Sequence, residues 1–229
     1  MREIKDILVR GAELIGVALT DQAVASFLYY IDQLKKWNRK INLTSLTEDL
    51  EIVAKHFVDS LTVAPYVHGS QHVLDIGAGA GFPGLPLKII CPALELVLLE
   101  ATQKKCSFLR HIVRGLELEG VQIVHGRAED GAIQGRYAGG FDLVLSRAVA
   151  DLPTSLRLAL PYPKKGGVIV GMRGKKGEEE QGETDWEQWG LRLIEMRKLI
   201  LPFVEETRVL LLFQRTETES SAEGDHTGP

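Results

Sequence analysis

Cysteine is scarce in this chain, which has only Cys91 and Cys106 among its 229 residues. Two thiols are too few for a disulfide framework, and their spacing is not that of a metal site. Apolar runs long enough to cross a bilayer are also missing. The first residues, MREIKDILVRGAELIG, have a helical period but lack the apolar core and the cleavage site of an export signal. We therefore expect a cytoplasmic protein with neither a membrane segment nor a metal ion.

Charge of one sign does not dominate the sequence, although the formal net charge is −4. The stretch 217–229 contains four acids and no Lys or Arg, so the rest of the chain is formally neutral (−4 + 4). Mean charge therefore neither supports nor excludes a nucleic-acid partner. That acidic tail is polar and poor in apolar residues, and we predict that it is disordered.

The pattern of apolar residues divides the chain into a helical part and an alternating part. Residues 1–68 are predicted to form a helical extension; in DQAVASFLYYIDQLKKWNRK the apolar residues recur every three or four positions, with Thr20 or Asp21 as N-cap. A further helix is predicted from Thr47–Asp49 to about Pro65. Residues 69–216 alternate short apolar runs (HVLDIG, LELVLLE, VQIVHG, FDLVLSR, GGVIVGM) with helical stretches, and RVLLLFQR is predicted to close the sheet. This alternation predicts an α/β domain with a mainly parallel, Rossmann-like sheet.

A glycine-rich turn follows the first predicted strand, in VLDIGAGAGFPGLPL. Glycine tolerates positive φ and lets a ligand lie against bare backbone amides. The turn also begins a helix, and ligands bind at such strand ends in doubly wound sheets. A tight turn without a ligand is the alternative, but four glycines in eight residues favour a binding site.

The glycines alone leave two ligands open. Gly79-x-Gly81-x-x-Gly84 satisfies a dinucleotide pattern, and Glu100, at the end of the second strand, suits a ribose in either case. Asp75 gives instead D-x-G-x-G-x-G, which resembles the first motif of class I S-adenosylmethionine-dependent methyltransferases. A carboxylate at Asp75 is unfavourable beside a pyrophosphate and favourable beside an amino group and a sulfonium. We therefore favour S-adenosylmethionine.

Several separated segments sharpen this resemblance. KKWNRKINLTSLTEDLEIVAKHFVDSLTVAPY, DIGAGAGFPGLPLKI, GRAED and FDLVLSRAVADL occur in the order found in the ribosomal small-subunit methyltransferase G family (RsmG, also called GidB), which this chain resembles from about Lys35 to Lys176. The resemblance implies methylation of N7 of one guanosine in 16S ribosomal RNA. It marks Gly77, Phe82, Ala128, Glu129 and Arg147 as cofactor-site residues. The family often has Arg at the position of Lys55 and Lys at that of Arg173, and the acidic tail has no counterpart. The full predicted cofactor set is Asp75, Gly77, Gly79, Gly81, Phe82, Glu100, Ala128, Glu129 and Arg147.

The implied reaction requires little proton chemistry from the protein. Guanine N7 carries a lone pair and no proton, so the transfer needs no general base and relies on orientation. The N/D-P-P-Y/F tetrad of amino-group methyltransferases is missing; SRAVADLP follows the fourth strand. Cys91 and Cys106 are interpreted as small hydrophobic residues rather than nucleophiles. Arg147 is predicted to orient the reactants by holding the cofactor carboxylate or an RNA phosphate, with guanine O6 as the next candidate partner. A surface ion pair with an acid such as Asp151 is the alternative.

A set of basic residues is predicted to contact the RNA. The predicted RNA contacts are Lys35, Arg39, Lys55, His56, Arg173, Lys175 and Lys176. Taken singly, each basic residue is equally a solvated side chain, and His56 with Asp59 is equally a hydrogen-bonded pair on a helix surface. We expect a monomer that acts on 16S ribosomal RNA or a small-subunit particle. A nicotinamide-dependent oxidoreductase and a non-catalytic nucleotide- or RNA-binding module are the two rival functions.

Overall fold

The structure is a computed structural model that describes residues 2–147, 150–180, 182 and 185–216. The predicted acidic tail, 217–229, lies outside the described residues. Two long helices begin the chain, α1 (Arg2–Leu14) and α2 (Asp21–Ile41). Thr20 caps α2 by accepting a hydrogen bond from the Ala23 amide at 3.1 Å. The apolar face predicted for α2 is buried at Val24, Phe27, Ile31 and Leu34.

The helix predicted after Thr47 is present but changes its winding in the middle. It begins as α3 (Asp49–Ile52), continues as a π-helical turn over Val53–Val58, and ends as α4 (Asp59–Leu61). A 3₁₀ turn, Ala64–Tyr66, follows. Single π-helical turns inside α-helices occur frequently at functional sites. This one carries two predicted RNA contacts, Lys55 and His56.

Seven strands form one sheet within the described residues, in the order β3-β2-β1-β4-β5-β7-β6. The strands are β1 (His72–Ile76), β2 (Glu95–Glu100), β3 (Val121–His125), β4 (Phe141–Arg147), β5 (Pro163–Arg173), β6 (Leu191–Ile200) and β7 (Thr207–Arg215). The first five are parallel, and β7 pairs antiparallel with both β5 and β6. The connecting helices are α5 (Gly84–Ile90), α6 (Gln103–Gly115), α7 (Gly131–Tyr137), α8 (Leu152–Ala159) and α9 (Gly177–Glu180). The predicted α/β class is confirmed.

The far edge of the sheet differs from the prediction. The run RVLLLFQR does not close the sheet, because β7 lies between β5 and the edge strand β6. No strand was predicted over Leu191–Ile200. The pairing of β6 with β7 shifts between Leu193 and Glu195, so the period-two alternation of apolar residues changes phase inside the strand. That shift is the physical reason why the strand is hard to recognise from its sequence.

Both faces of the sheet are covered. Val73 and Leu96 pack in one hydrophobic cluster with Leu8, Phe27 and other residues of α1, α2 and the π-helical turn. Leu74 belongs to the second cluster, which α8 covers. Because side chains alternate across a strand, β1 thereby supplies both cores. The helical extension therefore shares one core with the sheet. None of the described helices is long and apolar enough to span a membrane.

Candidate cofactor site and the RNA-facing edge

The glycine turn joins β1 to α5 at the carboxyl edge of the parallel strands. Gly77, Gly79 and Gly81 have φ values of 67°, 60° and 94°, so all three occupy the left-handed region that favours glycine. A Cβ on Gly79 would meet only the Gly77 carbonyl oxygen at 3.7 Å and otherwise faces open space. The turn thus leaves bare backbone at Gly79, as a closely approaching ligand requires.

Gly81 has a role in the packing of the turn. A Cβ there would collide with the Tyr30 hydroxyl and come within 2.6 Å of Leu85 Cδ1. The close neighbours of Gly81 are therefore protein atoms. A larger side chain at Gly81 would therefore disturb the packing of the turn itself, so substitution there does not test ligand binding alone.

Asp75 lies beneath the turn and is fully buried. Its Oδ2 accepts a hydrogen bond from the Gly84 amide at 2.9 Å, whereas Oδ1 is buried without a hydrogen-bond partner among the described residues. Burial raises the pKa of Asp75 to about 7, against the opposing effects of the Gly84 amide and the positive charge of Arg147. A buried carboxylate oxygen without a partner suits a cationic ligand group.

Glu100 ends β2 and supports the turn from the neighbouring strand. Its Oε2 accepts from the Gly79 amide at 2.9 Å, and its Oε1 accepts from the Thr102 amide at 2.8 Å. The side chain is buried, and each carboxylate oxygen retains a further lone pair. Glu100 therefore fixes the conformation of the turn. The same side chain is the one predicted to bind the ribose.

Ala128 and Glu129 follow β3, the outermost parallel strand. Ala128 is buried, and its carbonyl accepts hydrogen bonds from the Tyr162 hydroxyl at 2.6 Å and from Gln134 Nε2 at 3.1 Å. Glu129 is exposed and forms an ion pair with Arg127 at 3.6 Å. These two predicted cofactor-site residues thus lie at the same edge of the sheet as the glycine turn.

An aromatic stack connects the helical extension to the turn. Phe82 stacks on Tyr30 with ring centroids 5.4 Å apart and on His56 with centroids 4.6 Å apart. The Tyr30 hydroxyl donates a hydrogen bond to the Ala80 carbonyl, and burial raises the pKa of Tyr30, which keeps this donor protonated. Tyr30 was not among the predicted site residues, because a tyrosine on an apolar helical face gives no sign of its partner in sequence.

Arg147 ends β4 and points into the helical extension. Its Nε lies 3.1 Å from Asp59 Oδ2, and its Nη2 donates to the Lys55 carbonyl. Arg208 of β7 binds the other oxygen of Asp59 at 2.6 Å. The alternative pairing with Asp151 is wrong, because Asp151 instead caps α8 by accepting from the Thr154 amide at 2.8 Å. Arg208 was not among the predicted residues, and Asp59 was considered only together with His56.

His56 is held in one tautomer between Arg147 and Thr44. Arg147 Nη2, which only donates, lies 3.4 Å from His56 Nδ1, so Nδ1 accepts and Nε2 carries the proton. Nε2 then donates to Thr44 Oγ1 at 2.7 Å. Burial, assisted by the charge of Arg147, lowers the pKa of His56 to about 3. The surface pair of His56 with Asp59 is thus wrong: both residues face the interior of the site.

The six predicted RNA contacts other than His56 fall into two groups. Lys35 pairs with Asp49, Lys55 pairs with Glu51 and Glu206, and Arg173 pairs with Glu180. Arg39, Lys175 and Lys176 are exposed and form no ion pair within the described part of the chain. Lys175 and Lys176 follow β5, so they lie at the same sheet edge as Arg147. Among the predicted RNA contacts, Arg39, Lys175 and Lys176 therefore keep a charge that no acid of the described residues neutralises.

The fold has counterparts among solved structures. A methyltransferase from Aquifex aeolicus described as SAM-dependent aligns with a TM-score of 0.56 and 15% identity, over 75% of this chain and 96% of that chain. The M. jannaschii TYW2 protein, solved in complex with AdoMet, aligns with a TM-score of 0.55 and 19% identity, over 69% and 74% of the two chains. These similarities define the class of fold, that of class I methyltransferases.

The sequence then identifies the particular family. The family model described as rRNA small subunit methyltransferase G (GidB) matches residues 23–208. A protein of Geobacter metallireducens named Ribosomal RNA small subunit methyltransferase G is 43% identical over 217 residues, which is 93% of this chain and 97% of that protein. The namesake from Acetivibrio thermocellus is 37% identical, over 95% and 92% of the two chains. The chain belongs to the rRNA small subunit methyltransferase G family, and the predicted family is confirmed.

Proposed function

We propose that this chain transfers a methyl group from S-adenosylmethionine to N7 of one guanosine in bacterial 16S ribosomal RNA. Membership of the family confirms the predicted enzyme class, an rRNA methyltransferase with this cofactor, and excludes the nicotinamide-dependent alternative. The observation that supports the proposal is twofold. The chain matches the family, and the carboxyl edge of its sheet has a shape and chemistry that fit the cofactor. Gly79 leaves bare backbone there, and Asp75 Oδ1 lacks a partner among the described residues.

Each of the residues at this edge binds a different part of the cofactor. Asp75 fits its cationic amino end, Glu100 its ribose hydroxyls, and the loop at Ala128–Glu129 its adenine. When bound, S-adenosylmethionine supplies an electrophilic methyl group on a sulfonium. The glycine turn, supported by Glu100 and by the Tyr30–Phe82–His56 stack, holds its shape before binding. Because methyl transfer here depends on the orientation of the reactants, a preformed site lowers the entropy cost of holding them in the reacting geometry.

Methylation of N7 needs no general base, and the hydrogen bonds of His56 leave it unable to act as one. N7 carries no proton, so no side chain has to remove one. Both ring nitrogens of His56 are engaged, Nδ1 by Arg147 and Nε2 by Thr44, so the imidazole is not available as a base. The charge of Arg147 is directed at the buried carboxylate of Asp59. A guanine that becomes cationic on methylation is therefore not opposed by a free cation.

Methyl transfer to unmodified 16S ribosomal RNA tests this function. The protein is incubated with S-adenosylmethionine labelled on its methyl group and with either free RNA or small-subunit particles from a strain lacking this gene. We expect label at one guanosine, located by strand cleavage specific for 7-methylguanosine. Label at another atom would contradict the N7 assignment. RNA binding without transfer would support the non-catalytic alternative.

The proposal also includes the oligomeric state and the cellular location of the protein. We propose a monomer that works in the cytoplasm, where its RNA substrate is made and assembled. Sedimentation of the active protein with and without S-adenosylhomocysteine measures the number of chains. A stable dimer that alone carries the activity would contradict the monomer.

A further inference from the structure

A half-open pocket of about 420 Å³ lies beside the helical extension, between the last turns of α2 and the loop that leads to α3. We refer to it as the α2 pocket. Its apolar floor consists of Leu34, Leu46 and Ile52. Its walls carry amide, hydroxyl and cationic side chains, including Arg39, Asn42 and Thr47. Pockets that bind small organic groups combine such an apolar floor with a few convergent polar groups.

The loop that forms one wall is held in place before any ligand binds. Asn42 ends α2 in the left-handed conformation, with φ of 51°. The Asn38 side chain then binds the backbone of Thr44 twice, accepting from its amide and donating to its carbonyl, both at 2.9 Å. The Thr44 hydroxyl accepts from the Leu46 amide at 3.1 Å. The α2 pocket is therefore preformed.

The polar groups of the walls differ in their availability. Lys35 is neutralised by Asp49. Arg39, Asn42 and Thr47, by contrast, have no side-chain hydrogen bond or ion pair to another described residue. One guanidinium, one amide and one hydroxyl thus remain free around an apolar floor. This combination suits a nucleotide, whose base is planar with hydrogen-bonding edges and whose phosphate is anionic.

The α2 pocket adjoins the cofactor site. Thr44, on its wall, contacts His56 at 2.7 Å, and His56 in turn contacts both Phe82 of the glycine turn and Arg147. One side chain therefore separates the pocket wall from the residues around the methyl donor. A nucleotide in the α2 pocket lies close enough to be a neighbour of the reacting guanosine in the same RNA strand.

One side of the α2 pocket is basic, whereas the exposed Glu48 follows Thr47 in its wall. Helices α2 and α6 run antiparallel, with Gln33 bonded to His111 at 2.7 Å and Trp37 packed on Phe108. The end of α2, with Lys40, therefore meets the start of α6, with Lys104 and Lys105. These three lysines have no acidic partner within the described part of the chain. Basic residues also stabilise the end of any helix, so this charge indicates a polyanion only together with the pocket.

We propose that the α2 pocket binds one unpaired nucleotide of the RNA substrate, next to the guanosine that is methylated. Its base lies on Leu34, Leu46 and Ile52, its edge faces Asn42 and Thr47, and its phosphate contacts Arg39. This inference rests on the proposed function and adds a determinant of RNA choice to it. Base contacts of this kind discriminate between sequences, whereas phosphate contacts only position the strand.

Leu46→Trp tests the proposal by filling the pocket, and Leu50→Trp is its matched control. Leu46 is partly exposed on the pocket floor, whereas Leu50 is an exposed leucine on α3 outside the pocket. We expect Leu46→Trp to raise the KM for 16S ribosomal RNA by about tenfold or more, the effect of losing one base contact. The dissociation constant of S-adenosylhomocysteine and the parameters of Leu50→Trp should remain those of the unmodified enzyme.

Arg39→Ala provides a second measurement that does not depend on filling the pocket. We expect the log–log slope of RNA affinity against salt to fall by about 0.7, the value for one phosphate contact to a single strand. Arg136→Ala should leave the slope unchanged, because this exposed arginine shares a pocket with the first residues of β1–β4, at the opposite edge of the sheet.

The outcomes separate the pocket from the proposed function. Normal RNA kinetics in Leu46→Trp, or an unchanged salt slope in Arg39→Ala, would overturn the α2 pocket while leaving the methyl transfer of the unmodified enzyme in place. Binding of free guanosine or adenosine 5′-monophosphate there without any effect of Leu46→Trp on RNA would assign the pocket to a small molecule and overturn the proposal. Failure of the unmodified enzyme to methylate RNA would overturn both.

Discussion

At the scale of single residues, two features support the proposed cofactor site: the bare backbone at Gly79, which faces open space, and the buried carboxyl of Asp75. Both lie at the carboxyl end of β1: Asp75 is in the strand itself, beneath the turn, and Gly79 is in the turn that follows. Each acts through a different physical property, space in the case of Gly79 and charge in the case of Asp75. Substitutions at these two positions therefore have different expected signatures.

Gly79→Ala should weaken the binding of S-adenosylhomocysteine at least tenfold while leaving the protein folded. Its φ of 60° is unfavourable for alanine by about 1–2 kcal/mol, and the new Cβ projects into the space in front of the turn. Titration calorimetry and thermal unfolding measure the two effects. Gly135→Ala is the control, because Gly135 lies in α7 with no atom near its Cβ position. An unchanged dissociation constant in folded Gly79→Ala would remove the turn from the site.

The Asp75 carboxyl should make cofactor binding depend on pH. Its pKa of about 7 lies above the ordinary value of 3.8, so the ionised form is disfavoured in the free protein. The free protein thus gains stability from this group as pH falls through about 7 toward 4. A cationic ligand beside Asp75 favours the ionised form, so affinity should rise with pH from 6 to 8.

Calorimetry of S-adenosylhomocysteine binding between pH 6 and 8 checks this dependence. We expect binding to release protons, seen as a heat that varies with the ionisation enthalpy of the buffer. The slope cannot exceed about tenfold per pH unit for one titrating group. Asp75→Asn should flatten the profile. Equal slopes in the two proteins would assign the pH dependence to the ligand's own amino group.

At the scale of elements, the Asp59 carboxylate joins three parts of the fold. It lies at the start of α4, directly after the π-helical turn, and binds Arg147 of β4 and Arg208 of β7. The side chain of Asp59 is fully buried. A buried charge requires such partners, because removing one leaves it incompletely compensated. These ion pairs set how the helical extension meets the sheet.

Arg147→Ala should lower the free energy of unfolding by about 3 kcal/mol, at the low end for a broken buried pair because Arg208 remains. Turnover on RNA should fall more than RNA affinity, since Arg147 also holds Lys55 and His56. Arg147→Lys should recover part of the stability but little turnover, because an ammonium cannot reproduce the guanidinium fork.

Urea unfolding and methyl-transfer kinetics measure these changes. Lys198→Ala breaks an exposed pair with Glu178 and should cost no more than about 1 kcal/mol. Full stability and full turnover in Arg147→Ala would show that the Asp59 ion pairs neither fix the interface nor serve the reaction.

At the scale of the whole molecule, the glycine turn and the exposed lysines after β5 lie at the same carboxyl edge of the sheet. The formal net charge of −4 hides this distribution. An RNA strand responds to the local charge at the edge, because interactions beyond about 8–10 Å are screened at physiological salt. Neutralising that edge should therefore affect RNA and spare the cofactor.

Lys175→Ala combined with Lys176→Ala should weaken RNA binding and reduce its log–log salt slope by about 1.4, for two contacts to single-stranded RNA. Affinity for S-adenosylhomocysteine should not change. Filter binding at several salt concentrations measures the slope. Lys164→Ala, which removes a lysine at the opposite end of β5, is the control. A slope equal to that of the unmodified protein would place the RNA elsewhere.

The sequence alone was sufficient for the features that depend on local order along the chain. The period of α2, the apolar strands β1–β5 and the glycine turn with Asp75 follow from residue spacing, whereas the family followed from the resemblance of several separated motifs. The strand β6 was missed, because the register shift after Leu193 interrupts the alternation by which a strand is recognised. The Tyr30–Phe82–His56 stack was missed as well, since it joins segments that are far apart in sequence.

The tertiary structure alone decided which charges are used and which are free. Lys55 and Arg173 look as available in sequence as Lys175, yet each is paired with an acid that folding brings to it. The partner of Arg147 is Asp59 and not the nearby Asp151, because β4 ends against the helical extension. Spacing in sequence predicts contacts within one helix or between a strand and its turn. Contacts between segments dozens of residues apart depend on how the faces of the sheet are covered, and no local pattern encodes them.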